Sequence, residues 1–124
     1  MIPRSSPDFV DWLAARHAAV EGLRAEHVRE YGGLLPHVLF GDVTRHAADL
    51  ARRATTSPAA AQDLQRRLRD LDDAIRQDVG GDVENVIWVS FVENASGIPG
   101  DSEEPLREEI RRFPGLAHAL MHYE

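Results

Sequence analysis

The chain contains no cysteine, which removes disulfides, thiolate metal sites and cysteine nucleophiles from consideration. It contains no lysine either: all 14 basic residues are arginine, a bias expected of GC-rich coding. Apolar runs are only a few residues long, too short to span a bilayer. The opening Met1-Ile2-Pro3-Arg4-Ser5-Ser6-Pro7 lacks the apolar stretch of a secretion signal, so the cytoplasm is the expected location. Missing as well are a glycine-rich phosphate loop, a Gly-x-Ser-x-Gly elbow and a His-Glu-x-x-His helix. These absences favour a non-enzymatic protein with no cofactor and no metal. At 124 residues, 43% of them hydrophobic, the chain has material for one core spanning 1–124 and none for a second domain, and it is too apolar to be disordered.

What is present in excess is acid. The formal net charge is −7, and all of it falls in residues 57–124, where fourteen acids face seven arginines. Between Asp70 and Glu104 there are ten acids against Arg76 alone, a local net of −9. Such a field repels phosphate backbones and anionic membranes and steers a basic protein toward it. The expected partner is therefore a basic protein, not nucleic acid or membrane. The plain alternative is a surface that only keeps the protein soluble.

The pattern is all-α, a single bundle of five to six helices. A short solenoid of antiparallel helix pairs is the alternative arrangement. After a tail over residues 1–6, Ser6-Pro7-Asp8 reads as a capped helix start, and Phe9, Leu13, Val20, Leu23 and Tyr31 continue one helix to Gly32-Gly33. Gly41-Asp42 reads as a break and a new cap ahead of Val43, Ala47, Leu50, Ala51 and Ala54. Ser57-Pro58 opens the cleanest amphipathic stretch, Ala61 to Val79, which Gly80-Gly81 ends; Asp63 with Arg67 and Asp72 with Arg76 are spaced to pair on its outer face. Val83 to Asn94 has the β-branched and aromatic composition of a strand, yet it has no partner strand and follows Asp82, a good cap. It is expected to be a helix through the bundle centre. Residues 94–105, rich in glycine, proline and acid, form an expected mobile loop. Leu106, Ile110 and Phe113, then Leu116, Ala119, Leu120 and Tyr123, mark two short helices.

Candidate chemistry is sparse. His37 and His46 flank Asp42, which could orient an imidazole as a general base, and Glu93 is the acid whose burial would raise its pKa. These four residues are the candidate pocket, though no nucleophile is evident beside them. His118 and His122 lie one turn apart, but off the Leu116, Leu120, Tyr123 face and near a helix C-terminus that favours a protonated ring, so no metal site is expected. Trp12 and Trp88 are expected in the core.

Two strings, Leu35-Pro36-His37-Val38-Leu39-Phe40-Gly41-Asp42 and Val83-Glu84-Asn85-Val86-Ile87-Trp88-Val89-Ser90-Phe91-Val92-Glu93-Asn94, resemble a family of small, uncharacterised, all-helical bacterial proteins. Its pattern is a Pro-His-x-x-Phe-Gly-Asp turn followed by a central Val-Ser-Phe-x-Glu helix. The resemblance covers about residues 8 to 120 and implies a helical Val83 to Asn94 segment. By analogy of size and charge, it implies a protein like the immunity proteins that neutralise toxins of interbacterial competition.

The leading expectation is thus a non-enzymatic interaction module that blocks a basic partner through Asp72, Asp73, Asp78, Asp82, Asp101, Glu103 and Glu104. The alternative is a small hydrolase or ligand-binding domain using His37, Asp42, His46 and Glu93 between helices. A homo-oligomeric structural component is a third class.

Overall fold

In the computed structural model, which describes residues 2–124, Ser5 rather than Ser6 caps the first helix: its hydroxyl accepts the amide of Asp8 at 3.3 Å, and Pro7 sits in the first turn. The single helix expected to reach Tyr31 is two. His17 leaves helical geometry (φ −133°, ψ 108°) and separates α1 (Ser6–Arg16) from α2 (Ala18–Tyr31). No glycine or proline marks this break. The cause is tertiary: the buried His17 ring donates from Nε2 to Asp70 Oδ2 at 2.7 Å, across 53 positions of sequence. Gly32 then stops α2 in the left-handed region, at φ 73°.

α3 (Pro36–Arg53) begins at the proline and passes straight through Gly41-Asp42, so Asp42 is not a cap; it pairs with Arg45 on the same helix. α4 (Pro58–Gln77) starts where expected, with the Ser57 hydroxyl accepting the Ala60 amide at 3.2 Å, and it buries Leu64, Leu68, Leu71 and Ile75. It ends at Gln77, ahead of the two glycines. The pairs Asp63–Arg67 and Asp72–Arg76 both form at 3.3 Å, but not as an outer-face lattice, because Arg67 and Asp72 are themselves buried.

The ambiguous segment is helical. α5 runs Asp82–Val86, widens into a π-helical segment, Ile87–Val92, and closes with Glu93–Ala95. Gly81, not Asp82, holds the cap position, and the Asp82 carboxylate instead accepts the Ser6 amide at 2.6 Å. In the π segment the Glu93 amide donates to Trp88 O. A side chain serves one loosened carbonyl, Asn94 Nδ2 donating to Ser90 O at 2.6 Å, while the Thr44 hydroxyl of α3, 2.8 Å from Phe40 O on its own helix, lies 3.3 Å from both Ser90 O and Phe91 O. α6 (Glu104–Ile110) and α7 (Pro114–His122) complete seven helices, with no strand among the described residues. The extra helix over the expected five or six is the one His17 creates.

α3, rather than α5, is the hub. It packs on α1, α2, α4, α5 and α6, while α1 meets α5 and α4 meets α7. Contacts between elements so distant in sequence make a closed bundle, not a solenoid in which each pair touches only its neighbours. Phe9, Leu39, Phe40, Leu68, Leu71, Ile87, Phe91, Leu106 and Leu116 fill one continuous core, and Ile2 of the expected tail packs against it. Among the described residues no helix is long and apolar enough to cross a membrane.

Candidate functional site

The acids of residues 70–104 divide into two kinds. Asp70 is buried beneath α1, where Arg16 Nε donates to it at 2.8 Å and His17 at 2.7 Å; burial alone would raise its pKa, but these two bonds outweigh it and hold the carboxyl below the ordinary range. Asp72 is buried at the start of α7 and accepts the amides of Gly115 and Leu116 at 2.8 and 3.1 Å. It thereby caps a helix far away in sequence. A Cβ on Gly115 would stand 2.7 Å from Ile75 Cγ2, so only glycine allows α7 this close to α4.

Asp101 and Glu104 surround Arg107. Its buried guanidinium donates to Ala95 O at 3.0 Å and Ile98 O at 2.9 Å, and it pairs with Asp101 at 2.8 Å and Glu104 at 3.2 Å. The hydrogen bond from Arg107 keeps the Asp101 pKa low, while these carboxylates raise that of Arg107 against the opposing effect of its burial. Two carbonyls and one carboxylate of the segment expected to be a mobile acidic loop, together with Glu104 where it enters α6, thus converge on the Arg107 guanidinium. The Glu103 carboxylate accepts from the Ser102 hydroxyl at 2.7 Å and pairs with no arginine among the described residues.

The second kind gathers at the α4–α5 turn. Asp78 accepts the Val83 amide at 2.9 Å, Asp82 the Ser6 amide, and Glu84 the Gly80 amide at 2.8 Å. Asp73 is exposed one helical turn before Asp78 and makes no hydrogen bond or ion pair among the described residues. None of these four carboxylates forms an ion pair with an arginine there, although Asp73 is near enough to Arg16 to help raise its pKa and Asp78 lines a small pocket together with Arg4.

Beside this turn lies a mainly apolar groove of about 390 Å³ between α4, α5 and α7. Ile75, Val79, Trp88 and Pro114 supply its apolar surface, with Arg76, Glu84 and His118 among its walls. Val79 is 76% exposed. Trp88, expected in the core, is only half-buried; His122 packs on its ring at 5.2 Å, His118 meets it edge-on at 6.1 Å, and Tyr123 donates its hydroxyl to Trp88 O at 3.2 Å. Burial and the nearby Glu93 charge raise the Tyr123 pKa, which keeps that donor protonated. Trp12 is also half-buried, lying under the Arg16 guanidinium and against Phe9.

His37, Asp42, His46 and Glu93 each meet a different neighbour. His37 Nδ1 lies 2.6 Å from Ser90 Oγ, Asp42 is taken by Arg45, His46 turns to α4, and Glu93 is exposed near Tyr123. The nucleophile that sequence reading could not find beside His37 is thus Ser90, yet it is buried in mid-helix with its own carbonyl already bonded by Asn94. A serine–histidine pair needs an accessible reacting centre and donors for an oxyanion to act on a carbonyl. Ser90 is buried, and its bond to His37 joins α3 to α5.

A polar cluster also missed by sequence reading lies inside the bundle. Arg67, fully buried, donates to His46 Nδ1 at 2.6 Å and reaches Asp63 at 3.3 Å. A guanidinium only donates, so the His46 ring is neutral with its proton on Nε2. Burial first, and the Arg67 charge second, lower the His46 pKa; burial likewise lowers that of His17, where Arg67 opposes the Asp70 hydrogen bond. The helical period marks Arg67 as a pairing residue but carries no signal of its inward direction.

Neither a family model, nor a curated protein, nor a solved structure matches this chain.

Proposed function

We propose that the chain is a non-enzymatic interaction module that captures a basic protein through the acidic face at the α4–α5 turn. The observation that carries this reading is the contrast between two sets of carboxylates. Asp70, Asp72, Asp101 and Glu104 are engaged with arginines or buried as caps, whereas Asp73, Asp78, Asp82 and Glu84 form no ion pair among the described residues. Concentrated charge of one sign speeds and selects encounter without any reacting group. Of the seven acids expected from sequence to meet a partner, this reading retains Asp73, Asp78 and Asp82, adds Glu84, assigns Asp72, Asp101 and Glu104 to the scaffold, and leaves Glu103, away from the turn, outside the face. The resemblance to small helical bacterial proteins and the analogy with immunity proteins suggest a toxin-like basic domain as the partner, met in the cytoplasm.

The test is a pull-down from native host lysate with the wild-type chain and with Asp73→Asn, Asp78→Asn, Asp82→Asn, Glu84→Gln combined. The amides keep an oxygen for the Val83, Ser6 and Gly80 caps while removing the charge. A basic protein retained at low salt by the wild type and released by the variant supports the reading. Equal retention by both contradicts it.

A further inference from the structure

The groove beside the acidic turn leaves apolar surface open among the described residues and has Glu84 in its wall at the α4–α5 end. Val79 stands almost fully exposed, and Trp88 presents part of its ring beside it. Glu84 is both a groove wall and the member of the acidic cluster nearest the apolar surface. The one arginine in the wall, Arg76, is paired with Asp72 at 3.3 Å and so is partly neutralised. A second copy of this chain is a poor occupant, because it would set Asp78, Asp82 and Glu84 against their own counterparts on a molecule of net charge −7. Charge complementarity selects an occupant that is apolar at its centre and cationic at its flanks.

We propose that this groove is the anchoring site of the basic partner, receiving an amphipathic segment whose apolar side chain seats on Val79, Trp88 and Pro114 while flanking arginines or lysines meet Glu84, Asp82 and Asp78. The inference rests on the acidic-face reading and adds to it a place, an anchor and a partner chemistry. Aromatic side chains at the centre of a contact, ringed by charge, are where binding energy concentrates. A helix laid in such a groove presents one apolar stripe to the floor and its cations to the rim.

Two synthetic peptides serve as probes: an amphipathic repeat of Leu-Arg-Arg-Leu and an oligo-arginine of equal charge, each labelled for fluorescence anisotropy. In a Trp12→Phe background, the emission of Trp88 should shift on adding the amphipathic peptide but not the oligo-arginine. Trp88→Ala should weaken the amphipathic peptide by about tenfold and the more conservative Val79→Gln by about threefold, with helical content unchanged, while neither alters oligo-arginine binding. Amphipathic binding indifferent to both substitutions, or absent altogether, overturns the groove. If binding ignores those substitutions yet weakens in the four-amide variant, the acidic face stands without the groove; binding indifferent to the four amides overturns both.

Discussion

Arg107 of α6 and Asp101 of the preceding loop are 2.8 Å apart, a pair that ties a glycine- and acid-rich segment to the helix that follows it. With the carbonyls of Ala95 and Ile98 also bonded to the guanidinium, the loop is arranged around a cation supplied by its own chain. Composition alone suggests a surface for a partner; geometry shows several of those acids already bonded to arginines or amides of the same chain.

Removing Arg107 should therefore unmake the loop. Arg107→Met leaves two carbonyls and two carboxylates without their donor, and we expect a loss of about 3 kcal/mol, the scale for breaking one side of a buried ion pair. Urea unfolding measures the loss, and hydrogen exchange should show residues 96–103 opening first. Arg107→Lys should recover only part, because an ammonium cannot reproduce the planar fork. Unchanged exchange in Arg107→Met would show that the loop does not depend on the guanidinium.

Acid should weaken the bundle in two separate windows. The folded-state pKa of His17 and His46 lies below the ordinary value, so as pH falls the unfolded chain binds protons first. The stability they contribute is complete above about pH 6.5 and is lost as pH drops below it toward their folded values. The depressed carboxyls Asp70 and Asp101 give a second loss, below about pH 4. His46→Asn keeps an acceptor for Arg67 and removes one titrating ring, so the upper slope should become shallower. Denaturant midpoints across a pH series test this; a slope identical to wild type would remove His46 from the account.

Gly115→Ala should cost about 1–3 kcal/mol, the scale of overpacking a filled contact. The new methyl meets Ile75 Cγ2 at 2.7 Å and Asp72 Oδ1 at 2.9 Å, which pushes α7 off α4 and strains the cap. Thermal unfolding gives the size of the effect, and a midpoint equal to wild type would mean that α7 shifts freely.

Ser90 should behave as a packing residue. Ser90→Ala is expected to cost about 1 kcal/mol, the net value of one hydrogen bond, and a fluorophosphonate probe should leave the wild-type serine unmodified. Labelling at Ser90 would return weight to the hydrolase alternative.

Much of the bundle was legible because its helices announce themselves locally. Ser57 and the spacing of Leu64, Leu68, Leu71 and Ile75 mark α4 from neighbouring residues alone. The features that sequence did not reveal depend on partners far along the chain. His17 breaks a helix because Asp70 holds its ring, and Gly41 fails to break one because α3 is packed on both sides. The same holds for the site. Charge density between Asp70 and Glu104 was visible, but Asp72 facing Gly115 and Asp101 facing Arg107 follow from tertiary structure. The unpaired turn acids were found because they are dense in sequence. Glu84 and the half-exposed Trp88 were not singled out for contact, because an acid in a first turn reads as a helix-dipole residue and a tryptophan amid valines reads as core.

The most direct test is the association rate of the basic partner, measured by stopped flow against ionic strength, for three proteins: wild type, the four-amide turn variant, and a control in which only Glu103→Gln is changed. An acidic-face interface at the α4–α5 turn requires the turn variant to associate about tenfold more slowly at low salt with a flattened salt dependence, while the control stays close to wild type. Equal rates and slopes for the turn variant and wild type would contradict it.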